Sequence, residues 1–138
     1  MSNEVAIILV SHGYYAKSAM ESAEMIAGKQ SNYAVVAVIP GKNLNDITKE
    51  ISEEYEKLNR ENGVVILCDI FGGTPSNACA AVLIESQEKD NIIAFTGFNL
   101  QILIEILMNR KCDLKELNDI IKNEFPESWS CLNDKLLN

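Results

Sequence analysis

Four short apolar runs, each separated from the next by a stretch of helical periodicity, constrain this chain more than any other feature. "EVAIILV" (4–10), "YAVVAVIP" (33–40), "VVILC" (64–68) and "NIIAFTG" (91–97) are strand-length. The first and third are almost continuously apolar, the pattern of strands buried on both faces of a sheet. Between them lie amphipathic stretches. Ala16, Ala19, Met20, Ala23, Ile26 and Ala27 mark one face over 14–27, and Leu44, Ile47, Ile51, Tyr55 and Leu58 mark another over 43–62. Gly63 closes the second helix. Thr74 as N-cap with Pro75 at the first helical position opens a helix over 74–86. Two more are expected at 99–109 and 114–125.

Strands alternating with helices imply a parallel sheet covered on both faces, wound right-handedly. The fold class expected is α/β, doubly wound and flavodoxin-like, in the order 2-1-3-4 with room for an antiparallel edge strand. In that order strands one and three are neighbours where the winding reverses, and ligands sit beyond their carboxyl ends. With 138 residues, 47% hydrophobic and 23% charged, the chain suits a single domain over 1–138.

Composition excludes several functions. A net charge of −8 disfavours nucleic acid and anionic membranes, which reward basic patches. No apolar run approaches a membrane span. The amino terminus lacks a signal-peptide pattern, which points to the cytoplasm. The four cysteines form no close pair of metal-binding or redox type, and Cys68 and Cys79 read as small buried thiols.

The chemistry is sought in two loops. "SHG" after the first strand carries Ser11, the only histidine, His12, and Gly13; "CDIFGGTPSN" after the third carries Asp69, Gly72, Gly73 and Thr74. Strand order 2-1-3-4 brings them into one crevice. A carboxylate that accepts the proton of one imidazole nitrogen fixes the tautomer and leaves the other nitrogen as a nucleophile. Gly72 and Gly73 let backbone approach a ligand closely, and the helix that follows favours an anion at its amino end. Together these pieces suggest phosphoryl transfer onto imidazole. Taken singly, each has a bland alternative. A lone histidine near a strand end is usually structural, an aspartate there is often a turn former, and a Gly-Gly turn before a helix is common. "GGTP" is not a nucleotide P-loop, since no lysine follows, and no Lys or Arg occurs from Glu61 to Glu88.

"AIILVSHGYYAKS", "VIPGKN" and "GVVILCDIFGGTPSNA", in this order and spacing, resemble the mannose-type enzyme IIA domain of the bacterial sugar phosphotransferase system. The likeness runs from about Val5 to about Met108. It implies that His12 carries phosphate on Nε2, taken from phosphocarrier HPr and passed to a IIB protein. Asp69 would hold Nδ1, while Ser11, Gly72, Gly73 and Thr74 would line the phosphoryl pocket. No cofactor and no metal are implied. The resemblance also implies a homodimer with an exchangeable edge strand, and an indirect association with membrane IIC and IID subunits. With no IIB domain following, the acceptor is expected on a separate chain. Tyr14 and Phe71 are candidates for partner docking, although Tyr14, Tyr15 and Phe71 could equally be packing residues. Residues 126–138 present no clear strand. Two other readings share the phosphorylated histidine: a IIA-like subunit feeding dihydroxyacetone kinase, and a regulatory module switched by its phosphorylation state.

Overall fold

The computed structural model describes residues 3–137. Four strands, β1 (Ala6–His12), β2 (Tyr33–Val38), β3 (Val64–Cys68) and β4 (Ile92–Thr96), pair in parallel in the order β2-β1-β3-β4. They alternate with α1 (Tyr15–Ala27), α2 (Leu44–Lys57), α3 (Gly73–Glu85) and α4 (Leu100–Met108), followed by α5 (Leu114–Glu124) and a short α6 (Leu132–Leu137). This is the expected strand order and class.

The burial of each strand follows its place in the sheet. β3 is buried throughout and β1 up to Ser11, whereas edge strands β2 and β4 are only partly covered. Period-two alternation splits the central strands between two cores. Val5, Ile7, Leu9, Val65 and Leu67 pack with Ala16, Met20 and Ala23 of α1, Leu103 and Ile106 of α4, and Leu117 and Ile121 of α5. Ala6, Ile8, Val10, Val64, Ile66 and Cys68 face the other way, onto Ile47, Ile51 and Tyr55 of α2 and Ala78, Cys79 and Val82 of α3. The connection β1 to β2 therefore crosses one face, and β2 to β3 and β3 to β4 cross the other. The winding reverses between β1 and β3, which opens a crevice at their carboxyl ends.

Three expectations change in detail. α2 stops at Lys57, not at residue 62, because side chains from elsewhere claim the following backbone. The Arg60 guanidinium donates to Tyr55 O (2.7 Å) and Leu58 O (3.3 Å). Asn32, itself at positive φ, exchanges hydrogen bonds with the backbone of Asn59 (both 2.9 Å). α3 begins at Gly73 with Gly72 as N-cap, so Thr74 lies inside the first turn and is not the cap. Among the described residues no antiparallel edge strand follows α5. Phe125–Ser128 forms a 3-10 turn with Pro126 near its start, where proline's fixed φ suits a helical turn. Ser128 Oγ donates to Phe125 O at 2.6 Å and accepts from Asn99 Nδ2 at 2.8 Å, which ties that turn to the start of α4. The outer edge of β4 is left open.

Arg110 sits at the opposite end of the sheet and was not singled out by any sequence pattern. Its side chain is buried and donates to the carbonyls of Val5, Ser31 and Asn32 and to Gln30 Oε1, at 2.7–3.1 Å. One guanidinium thus joins the chain entering β1 to the chain entering β2.

Candidate functional site

The strand ladder carries both loops into the crevice. One backbone step beyond the paired residues, Asp69 N–H donates to Val10 O (3.2 Å) and Gly13 N–H to Val38 O (2.8 Å). His12 and Asp69, 57 positions apart, therefore emerge side by side. Asp69 Oδ2 lies 2.9 Å from His12 Nδ1 and accepts the His12 backbone N–H at 2.9 Å. Asp69 Oδ1 accepts the Ile70 N–H at 2.9 Å. One carboxylate thus fixes both the ring and the backbone of the histidine.

The two partners differ in exposure. The His12 side chain is 51% exposed and that of Asp69 only 12%. Burial pushes the Asp69 carboxyl up, but the hydrogen bonds from His12 N–H, His12 Nδ1, Ile70 N–H and Cys68 outweigh it. The carboxyl is held below the usual aspartate range, so it is a carboxylate at neutral pH. An ionised acceptor at Nδ1 selects the tautomer with the proton on Nδ1 and the lone pair on Nε2.

Nε2 faces the amino end of α3. A Cβ built on Gly73 would lie 3.7 Å from His12 Nε2 and 3.8 Å from Cε1, so the glycine keeps the space beside that nitrogen clear. Gly72 and Gly73 have φ of +89° and +84°, a region in which side chains are strained, and with glycine as N-cap no capping side chain covers the helix end. A helix amino terminus presents unpaired N–H groups and the positive end of its dipole. Imidazole lone pair and anion-favouring backbone thus meet at one point.

Of the sequence-selected residues, His12, Asp69, Gly72, Gly73 and Thr74 come together here. Ser11 does not. It is wholly buried, and its Oγ accepts the Ala16 N–H (2.8 Å) and donates to Gly13 O (3.3 Å), so it braces the turn from β1 into α1. The reason lies in strand alternation: Ser11 points to the face opposite His12, in phase with Ile7 and Leu9 and toward α1. The two tyrosines divide. Tyr14 is largely exposed, whereas the Tyr15 ring packs at a tilt against Phe98 (5.3 Å between centroids, 41° between planes) and its hydroxyl donates to Phe98 O at 3.0 Å. Burial, with the nearby Asp69 charge, raises the Tyr15 hydroxyl above its ordinary pKa. Phe71 is 87% exposed and Ile70 is exposed beside it. Sequence reasoning missed Phe98 and the contact of Cys68 with Asp69; neither has a local pattern to announce it. Among the described residues no group of three His, Cys, Asp or Glu side chains is placed to hold a metal, and no helix is long and apolar enough to cross a membrane.

Known proteins resemble this chain over most of its length. Residues 6–123 match the family model of the PTS (phosphotransferase system) fructose IIA component. The PTS fructose-specific EIIA component of Bacillus subtilis is 31% identical over 133 residues, covering 96% of this chain and 89% of that protein. The PTS mannose-specific EIIAB component of Escherichia coli is 31% identical over 109 residues, 79% of this chain; the chain spans only about a third (33%) of that relative's length. The crystal structure of phosphotransferase system component EIIA from Streptococcus agalactiae superposes with a TM-score of 0.85 at 27% identity, covering 94% of this chain and 98% of that one.

Proposed function

This chain belongs to the PTS fructose IIA component family, the mannose-type EIIA proteins, and from that premise we propose that it is a histidine phosphocarrier. It takes a phosphoryl group from phospho-HPr onto Nε2 of His12 and passes it to a IIB protein during sugar uptake. The observation that carries this reading is the 2.9 Å contact between His12 Nδ1 and Asp69 Oδ2, which leaves Nε2 exposed beside Gly73.

The chemistry follows from that contact. Nε2 uses its lone pair to attack phosphorus in line with the donor nitrogen, and the N–P bond of the donor breaks as the new one forms. The proton on Nδ1 stays where it is, and Asp69 offsets the positive charge that develops on the ring. Equatorial phosphoryl oxygens meet the N–H groups at the start of α3, with the Thr74 hydroxyl as a further donor. Fixed dipoles and positioning supply the catalysis. The donor bond is already activated, so no metal or cofactor enters the scheme. Donor and acceptor proteins use the same face in turn, with Tyr14 and Phe71, each two residues beyond a reacting side chain, as exposed aromatic contacts. In this reading residues 1–138 act as one IIA domain in the cytoplasm, reaching IIC and IID only through IIB.

Incubation with phosphoenolpyruvate, enzyme I and HPr, followed by intact-mass measurement, tests the first transfer. Wild type should gain one phosphate and His12→Ala none. Chasing the label with IIB, or with a dihydroxyacetone kinase subunit, identifies the acceptor, and label that stays on His12 would favour the regulatory reading.

A homodimer is the second part of this reading, and the carboxyl-terminal segment favours it. Trp129, Leu132, Leu136 and Leu137 are all exposed, while Phe95, Phe98, Ile121 and Phe125 line an apolar cavity of about 260 Å³ beside the open edge of β4. An apolar arm and an apolar groove on one molecule fit each other in a pair. Sedimentation should show a dimer for wild type and a shift to monomer for Leu132→Glu/Leu136→Glu; identical sedimentation of the two would remove this arm from the interface.

A further inference from the structure

The residue before Asp69 turns its side chain back onto the carboxylate. Cys68 is the last residue of β3 and is buried; its Sγ lies 3.5 Å from Asp69 Oδ1 and 3.4 Å from Ile70 O. Behind it lies a second buried thiol, Cys79 of α3, in the same core cluster. The neighbouring Cys68 and burial push the Cys79 thiol up, so it stays protonated.

The arithmetic of the carboxylate gives the Cys68 contact its importance. Two carboxylate oxygens offer about four lone-pair positions. Oδ2 receives the His12 backbone N–H and the ring Nδ1; Oδ1 receives the Ile70 N–H and shares the Cys68 thiol hydrogen with Ile70 O. The shared thiol is the fourth contact that resists rotation of the carboxylate about its own axis. Without the thiol, Oδ1 is held by one donor only and the plane of the group can tilt. Any tilt is passed to the imidazole, because Oδ2 alone orients it.

We propose that Cys68 is a positioning residue for phosphoryl transfer, holding the Asp69 carboxylate plane and, through it, the direction of Nε2 of His12. The proposal rests on the reading of His12 as the phosphoryl acceptor. It gives Cys68 a task beyond filling the core between β3 and α3, and it makes the donor hydrogen, not the sulfur volume, the property that matters.

Single-turnover transfer from phospho-HPr, measured across pH for wild type, Cys68→Ala and Cys68→Ser, separates the two roles, with ¹⁵N chemical shifts of the His12 ring reporting the tautomer. Cys68→Ala should slow transfer by about two- to fivefold, the loss of one modest hydrogen bond. It should also move the acid limb of the rate profile to higher pH, since a carboxylate that loses a donor is easier to protonate. Cys68→Ser keeps a donor and should recover most of the rate and the wild-type acid limb, whatever either substitution does to the melting temperature. A Cys68→Ala profile that overlays wild type, or a serine variant displaced as far as the alanine one, overturns the proposal. If wild type accepts no phosphate the carrier reading falls instead. The ring shifts then decide alone: equal tautomer populations in wild type and Cys68→Ala would end the positioning role, and a shift toward the Nε2–H form would uphold it.

Discussion

Asp69→Asn is the sharpest single probe of this site, because every group around that carboxylate is a donor. Oδ2 faces the His12 backbone N–H and Nδ1, each at 2.9 Å, and Oδ1 faces the Ile70 N–H at 2.9 Å. Asparagine has one accepting and one donating end. If its oxygen takes the Oδ2 position, its NH₂ abuts the Ile70 N–H. If it flips, the NH₂ abuts the His12 N–H and forces the Nδ1 lone pair toward it, moving the ring proton to Nε2. Neither orientation satisfies all three N–H donors, and with only 12% exposure water relieves little of the conflict. The stranded donor costs about 1–3 kcal/mol of stability. Replacing a charge-assisted bond at Nδ1 by a neutral one removes a further 1–1.5 kcal/mol or so from stabilisation of the charged transition state, about 5- to 13-fold in rate. Rapid-quench transfer from labelled phospho-HPr, alongside thermal melting, measures both. A variant that transfers within twofold of wild type would refute the assignment of Asp69. The pH dependence supplies a cross-check. The Asp69 carboxyl is depressed in the folded state, so its contribution to stability is present above the ordinary aspartate value and is lost as pH falls through the depressed one. The asparagine variant should lack that part of the acid-induced decline.

Gly73→Ala should fold at a cost of about 1–2 kcal/mol, the strain of an L-residue at φ +84°, and its methyl, 3.7 Å from Nε2, should slow phosphorylation beyond any loss of stability; wild-type transfer rates would mean the phosphoryl group lies elsewhere. Arg110→Met takes the guanidinium from the carbonyls of Val5 and Ser31 and leaves that of Asn32 with the Ile7 N–H alone, and urea unfolding should register a loss of about 3–5 kcal/mol with transfer by the remaining folded protein unchanged. The net charge of −8 should steer encounter with basic partner faces, so transfer rates should fall as sodium chloride is raised; a flat response would assign docking to the apolar contacts instead.

The unbroken apolar runs of β1 and β3, set between stretches of helical period, were enough to imply two-sided burial and a parallel sheet, because those properties are written in the local pattern of the side chains; the order that places His12 beside Asp69 was an inference from the fold class. Gly72 and Gly73 were legible for the same reason: a backbone need is met by a residue type. What the tertiary structure decided is everything settled by a partner distant in sequence. The end of α2 depends on Asn32 and Arg60, the Tyr15 hydroxyl on Phe98, and the joined amino ends of β1 and β2 on Arg110, 105 positions from Val5. Ser11 shows the division within one residue. Its neighbour His12 announced the site, but only its place in the pleat revealed that its hydroxyl braces α1 and faces away from the crevice that holds His12. A period in the sequence specifies which face a residue takes; which atom it meets there is set by the packing of elements that the period cannot see.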